Sequence, residues 1–293
     1  MSYISPQCLL KKMIDAGEAK VKLSTEQTLI RAFMAGALLA LAAAFAITVT
    51  VNSGQPLLGA ILFPVGFILL TLLGFDLLTG VFTLTPLALL DRRKGVTVQN
   101  VLRNWALTFT GNFLGAFSVA IMMAVVFTFG FSSQPNAIGQ KISAIGFDRT
   151  VGYSNYGFSG MLTLFVRGVL CNWMVSTAIV AGLASTNVTG KAVVMWMPIM
   201  VFFYMGFEHS IVNMFLFPSG LLLGAEFSIY DYLVWNEIPT IVGNLVGGIT
   251  FVGLPLYLAH RSNELSGDIS VSDDQIGSGI LASIGERTQA QDS

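Results

Sequence analysis

Glu208, His209 and Asn213 stand inside a run that is otherwise almost wholly apolar, from Ala192 to Ala225. Burying such groups unpaired costs several kcal/mol, and ionisable side chains at such depth read as functional by default. An imidazole, with a reference pKa of about 6.5, can relay a proton near neutral pH, which gives His209 the chemistry of a relay. Glu208 reads instead as an acceptor for loop N–H groups, because Asp76, its counterpart in an earlier stretch, is followed by Leu77 and not by a histidine. The chain has no HExxH, no GxSxG and no paired-cysteine or multi-histidine metal set, and its two histidines are His209 and His260. An enzyme, a metal site and a cofactor are therefore not expected.

The elements that position these groups are membrane spans. The chain of 293 residues is 54% hydrophobic and 11% charged, against about 25% charged in soluble domains, and its mean hydropathy is +0.73. A net charge of -1 gives no footprint for nucleic acid. Spanning helices need roughly 20 apolar residues, and six candidate spans cover about 29–51, 57–90, 103–131, 158–186, 192–224 and 234–259. Eleven of the fifteen Lys and Arg residues fall at the amino end, in the 91–103 loop, at Lys191 or at Arg261. If six spans alternate, these positions share one side, which the positive-inside rule makes cytoplasmic, with both termini inside.

Residues 1–24 read as an amphipathic helix started by Ser5-Pro6, with Leu9, Leu10, Met13 and Ile14 as its apolar stripe, lying on the inner membrane surface. With five cationic residues ahead of the first apolar run, no cleavable signal peptide is expected. The transmembrane domain is expected over 25–260, and the polar stretch 261–293 as a disordered cytoplasmic tail.

A shift of 132 residues aligns Gly36 with Gly168, Gly74-Phe75-Asp76 with Gly206-Phe207-Glu208, Pro86 with Pro218, and Gly111-Asn112…Gly115 with Gly243-Asn244…Gly247. One ungapped offset spanning three segments marks a duplication, with repeats at about 29–131 and 158–259. Three spans per repeat force opposite insertion, which is the inverted-topology arrangement of transporters and channels. The second and fifth spans are too long for one helix, and each carries an acid beside a glycine at its middle. They are expected to break near 76–79 and 208–211 and to meet near the bilayer centre. Half-helix amino ends there would favour an anion.

The segments GVLCNWMVSTA (168–178) and GFEHSIVNMFLFPSG (206–220), with the order of six spans, resemble the formate/nitrite transporter family over about residues 5–260. The resemblance implies an all-α membrane protein of aquaporin-like architecture, built as a 3+3 inverted repeat with broken helices 2 and 5. It also implies a homopentamer in which each protomer has its own pore for small monovalent weak-acid anions such as formate, nitrite or hydrosulfide, with protons as co-substrates. His209 matches the family's central pore histidine, and Asn172 and Asn213 match polar positions that organise the break around it. Thr79 resembles the threonine facing the histidine, and Phe75 and Phe202 fall near aromatic constrictions. Asp76 and Glu208 would be loop scaffold. Asn112 and Asn244 would either bond the loops or bridge helices, and Arg167 could snorkel, pair at a subunit contact or face the outer vestibule. The family commonly has a lysine about sixteen residues before the motif asparagine, but 152–160 reads GYSNYGFSG, so that Asn155 or Tyr156 would occupy its vestibule position.

The function expected is passive or proton-coupled transport of such anions, formate foremost, across the inner (plasma) membrane, with His209 aiding protonation. A neutral small-solute channel of aquaporin type is the alternative, although the paired Asn-Pro-Ala boxes of that class are absent.

Overall fold

The computed structural model describes residues 3–261. It is helical almost throughout, and the tail expectation for 262–293 lies outside the described residues. Helix α1 (Pro6–Val21) precedes α2 (Thr25–Ser53), α3 (Pro56–Leu62), α4 (Pro64–Leu72), α5 (Leu78–Leu90) and α6 (Val98–Phe127). On the far side of α7 (Ala137–Asp148) and α8 (Val151–Ser154) come α9 (Gly157–Ala184), α10 (Val188–Tyr204) and α11 (Ser210–Leu222). The last span runs from α12 (Ile229–Tyr232) through α13 (Ile238–Gly248) to α14 (Leu254–His260), with π-turns at Leu233–Glu237 and Ile249–Gly253. Thr25–Ser53, Val98–Phe127, Gly157–Ala184 and Ile229–His260 are each long and apolar enough to cross a membrane.

The second and fifth spans are broken, and glycine breaks them. Gly74 (φ +74) and Gly206 (φ +66) end α4 and α10 in the left-handed conformation. The next amides, of Phe75 and Phe207, return to the carbonyls of Leu70 and Phe202 at 2.9 and 3.0 Å. This is the Schellman closure, which a residue with a Cβ adopts only at a cost. The non-helical stretches lie a little earlier than expected from the sequence, since α5 already begins at Leu78 and α11 at Ser210, which leaves Thr79 and Ile211 helical. Pro86 and Pro218 sit inside α5 and α11. A further division at Pro64, between α3 and α4, has no equivalent in the fifth span, where Pro198 stays within α10.

The two long-helix pairs use small residues at matching positions. Gly36 lies against the Asn112 backbone, and Gly111 and Gly115 against Ala32 and Phe33, which joins α2 to α6. Gly168 packs on Thr240 and Gly243, and Gly247 on Val169, which joins α9 to α13. Such contacts let backbones approach closely, the usual basis of helix association where no water is displaced.

Helix α1 departs from its expected place. Ser5 caps it, with the Cys8 amide donating to Oγ at 3.4 Å. Its stripe of Leu9, Leu10, Met13 and Ile14 is buried against Leu84, Leu87, Val180 and Ala184. Gly17 lies on the Leu84 carbonyl. The apolar face therefore docks on α5 and α9 and not on a lipid surface, because those helices expose a complementary apolar groove at this end.

Candidate functional site

Each break is gripped by one asparagine from the third long helix of its half. At the first, Asn112 Oδ1 accepts from the Leu78 amide at 2.9 Å while its Nδ2 donates to the carbonyls of Asp76 (2.9 Å) and Ala32 (2.7 Å). At the second, Asn244 Oδ1 accepts from the Ser210 amide at 3.0 Å, and Nδ2 donates to Glu208 (2.9 Å) and Gly168 (2.8 Å) carbonyls. Both side chains are fully buried. Of the two placements left open from the sequence, the geometry shows both: each asparagine bonds its loop and also bridges to the first long helix of its half, at Ala32 of α2 or Gly168 of α9.

The acids are held by cations. Asp76 pairs with Lys20 of α1, and Glu208 accepts from Arg149 Nη1 at 3.4 Å. Glu208 also receives the Tyr153 hydroxyl (2.9 Å), Asn213 Nδ2 (3.0 Å) and Asn236 Nδ2 (3.2 Å). Asn213 thus braces the acid beside the histidine. Tyr153 lies in the connection before α9, where burial foremost, and then the charge of Glu208, pushes its hydroxyl up to about 12. It therefore stays a donor at neutral pH. Arg167 donates to the same hydroxyl at 2.7 Å and lies 5.9 Å from the ring centroid, which places it behind Tyr153 and out of the cavities described below.

His209 is the N-cap residue of α11. Its Nδ1 accepts from the amides of Ile211 (3.1 Å) and Val212 (3.3 Å), which fixes the proton of a neutral ring on Nε2. Nε2 is 3.4 Å from Thr79 Oγ1, contributed by the other half. Asn172 Nδ2 holds the Thr79 carbonyl at 3.2 Å and the Asn244 carbonyl at 2.6 Å. Phe202 stacks on the imidazole with centroids 5.4 Å apart, and Phe63 meets Phe202 edge-on.

Two cavities flank this pair. One, of about 170 Å3, opens toward α7 and is lined by His209, Phe202, Phe207, Lys141 and Arg149. The other, of about 240 Å3, opens toward α1 and is lined by Phe75, Asp76, Leu77, Lys20 and Lys191. Thr79 is fully buried between them. The linings thus carry two cations each; His209 belongs to the first, and Leu77 and Gly80, on either side of Thr79 in sequence, belong to the second. Asn155 and Tyr156 line neither; both are exposed, Tyr156 by 74%. Arg149 and Lys141 are the cations of the first lining.

Sequence reasoning missed Lys20 and Arg149 as partners of the acids, and missed Asn104, Asn236, Tyr153 and Glu237 altogether. A signal existed for two of them. Asn104 and Asn236 obey the same 132-residue offset, and their Nδ2 atoms hold the carbonyls of Lys20 and Arg149, each at 3.0 Å.

The family profile described as Formate/nitrite transporter matches residues 7–258. Among curated relatives, a probable formate transporter of Methanothermobacter thermautotrophicus is 33% identical over 86% of this chain and 95% of its own length. The formate channel FocA of Haemophilus influenzae is 33% identical over 75% and 82%, and the transporter YrhG of Bacillus subtilis strain 168 is 30% identical over 91% and 97%. A solved pentameric formate channel with formate bound aligns at a TM-score of 0.66 and 25% identity, over 80% of this chain and 97% of that one. An FNT family ion channel aligns at 0.75 and 22%, over 86% and 99%, a likeness of fold. The chain belongs to the formate/nitrite transporter family: it is an all-α membrane transport protein and not an enzyme.

Proposed function

We propose that this member of the family conducts small monovalent weak-acid anions, formate first, across the cell membrane as a homopentamer with one pore per protomer. Both termini would lie in the cytoplasm, as the charge distribution favours, with α1, its docked face covered, closing the inner side. The observation that carries the reading is the buried His209–Thr79 pair set between two cation-lined cavities. Lys141 and Arg149 on one side, and Lys20 and Lys191 on the other, raise the local concentration of anions. At the constriction an unprotonated anion meets a large desolvation cost, whereas its conjugate acid is neutral.

The cap geometry refines how His209 takes part. A ring whose Nδ1 is occupied by two amides presents Nε2–H as a donor to a carboxylate oxygen. Giving that proton away would require another at Nδ1, at the loss of both cap bonds. His209 therefore orients the anion while water in the cavity delivers the proton, so that formate plus one proton crosses as formic acid and releases the proton on the far side.

The test is uptake of labelled formate by proteoliposomes across pH 5 to 8, with nitrite, lactate and hydrosulfide in the same panel. Uptake that rises as pH falls, and is lost in His209→Phe, is the expected result. Uptake indifferent to His209, or osmotic swelling in glycerol without formate uptake, counts against it.

A further inference from the structure

The last span is not a plain α-helix where it passes the second break. Residues Leu233–Glu237 form a π-turn, a rare deformation that recurs at functional sites. It presents two consecutive residues inward, Asn236 at 0% and Glu237 at 2% exposure. Asn236 holds Glu208, the residue before His209, and Glu237 accepts from Ser210 Oγ, the residue after it. The other Glu237 oxygen accepts from the Tyr232 hydroxyl at 3.0 Å. Among the described residues no ion pair reaches Glu237, while its neighbour Glu208 has Arg149.

The first half has no such arrangement. The 132-residue offset puts Trp105 at the place of Glu237 and Leu78 at that of Ser210. The Trp105 Nε1–H goes to Thr85 Oγ1, at 2.8 Å. The acid–hydroxyl link therefore occurs only in the half that carries the histidine. A buried, cation-free carboxyl is costly to keep, and its position next to the pore residue gives it a task.

We propose that Glu237 is a positioning residue for the pore histidine. Acting through Ser210 it fixes the first turn of α11, whose Ile211 and Val212 amides bind His209 Nδ1, and it thereby fixes the direction of Nε2–H toward Thr79. The transport consequence rests on the function proposed above; the positioning itself does not.

The experiment exploits the two histidines of the chain. The full-length protein, labelled with 15N-histidine and reconstituted in lipid, gives ring signals for His209 and His260, assigned with His209→Phe. In the wild type, His209 should show an unprotonated, hydrogen-bond-accepting Nδ1. Glu237→Gln, which keeps size and shape, and Ser210→Ala should each shift the His209 signals in the same sense. The double variant should shift them no further, and His260 should not move. Formate uptake should fall about tenfold in each, the loss of one buried hydrogen bond, with the half-saturating concentration changed less than twofold. Unchanged His209 signals, shifts that add in the double variant, or shifted signals with wild-type uptake rates would each overturn the proposal. A wild type that takes up no formate would count against the transport reading, and the ring signals would still decide the positioning.

Discussion

At the first break Asn112 grips the backbone on both sides of Leu77, Lys20 answers the Asp76 carboxylate and Asn104 holds the Lys20 carbonyl. At the second, Asn244, Arg149 and Asn236 do the same around His209 and Glu208. The frames coincide, but what they hold does not. One break presents a leucine and the other an imidazole, and the cation comes from α1 in the first half and from the α7–α8 connection in the second. One Asp76 oxygen is buried without a partner, whereas both oxygens of Glu208 are bonded. The two halves hold unwound backbone by the same means. The imidazole stands on one side only, and Thr79 of the plain half faces it.

The largest effects should come from removing what the halves share. Asn112→Leu and Asn244→Leu each strand a buried amide and at least one buried carbonyl, at about 1–3 kcal/mol per group. Both should cost similar amounts, read as lost oligomer or lowered melting temperature in detergent. A loss at one site alone would break the equivalence of the frames.

The next effect should separate the halves. His209→Phe removes the Nε2–H donor, and formate uptake should fall by about 10²-fold or more, the range of a lost hydrogen-bond donor aimed at the reacting group. It also removes a helix cap, worth about 1 kcal/mol. His209→Asn, which can still cap α11 but is too short to reach Thr79, should recover that stability without recovering uptake. Recovery of both would mean that the cap is the whole role of the residue.

A smaller contrast lies in the cations. Lys20→Gln leaves the Asp76 carboxylate with no charge partner and should cost about 2 kcal/mol, less than a fully buried pair because Lys20 is partly exposed. Arg149→Gln leaves three other donors on Glu208, and about half that loss is expected in the same melting assay. It should also raise the half-saturating formate concentration several-fold from one side of the membrane, by an amount that shrinks with salt. Equal destabilisation by the two variants would show that the extra donors on Glu208 contribute nothing.

Much of this frame was legible in the sequence because it is written in residue types with few uses. Glycine beside an acid in an apolar run marked both breaks, and an asparagine repeated at a fixed offset singled out Asn112 and Asn244 while leaving their role open between loop and helix; Gly74 and Gly206 set where the helices end. The cationic partners were not legible, since Lys20 and Arg149 sit in segments whose approach to the breaks depends on how α1 docks and how α8 turns. Glu237 was hidden by its surroundings. An α-helical reading of 229–260 turns successive residues about 100° apart, and the 132-residue offset sets Trp105 at the place of Glu237, so nothing in the pattern marked that acid.

The smallest effect expected concerns positions 155 and 156, where the family resemblance suggested a vestibule. The structure puts the cations Arg149 and Lys141 in the cavity lining and leaves Asn155 and Tyr156 exposed outside it. A charge added at an exposed site acts through water and is screened beyond about 8–10 Å at physiological salt. Asn155→Lys and Tyr156→Lys should therefore change the half-saturating formate concentration by less than about twofold, while Arg149→Gln changes it more. If either lysine instead lowered that concentration as strongly as Arg149→Gln raises it, the anion would approach along the exposed start of α9, and the second half would have a path to His209 other than the cavity lined by Arg149.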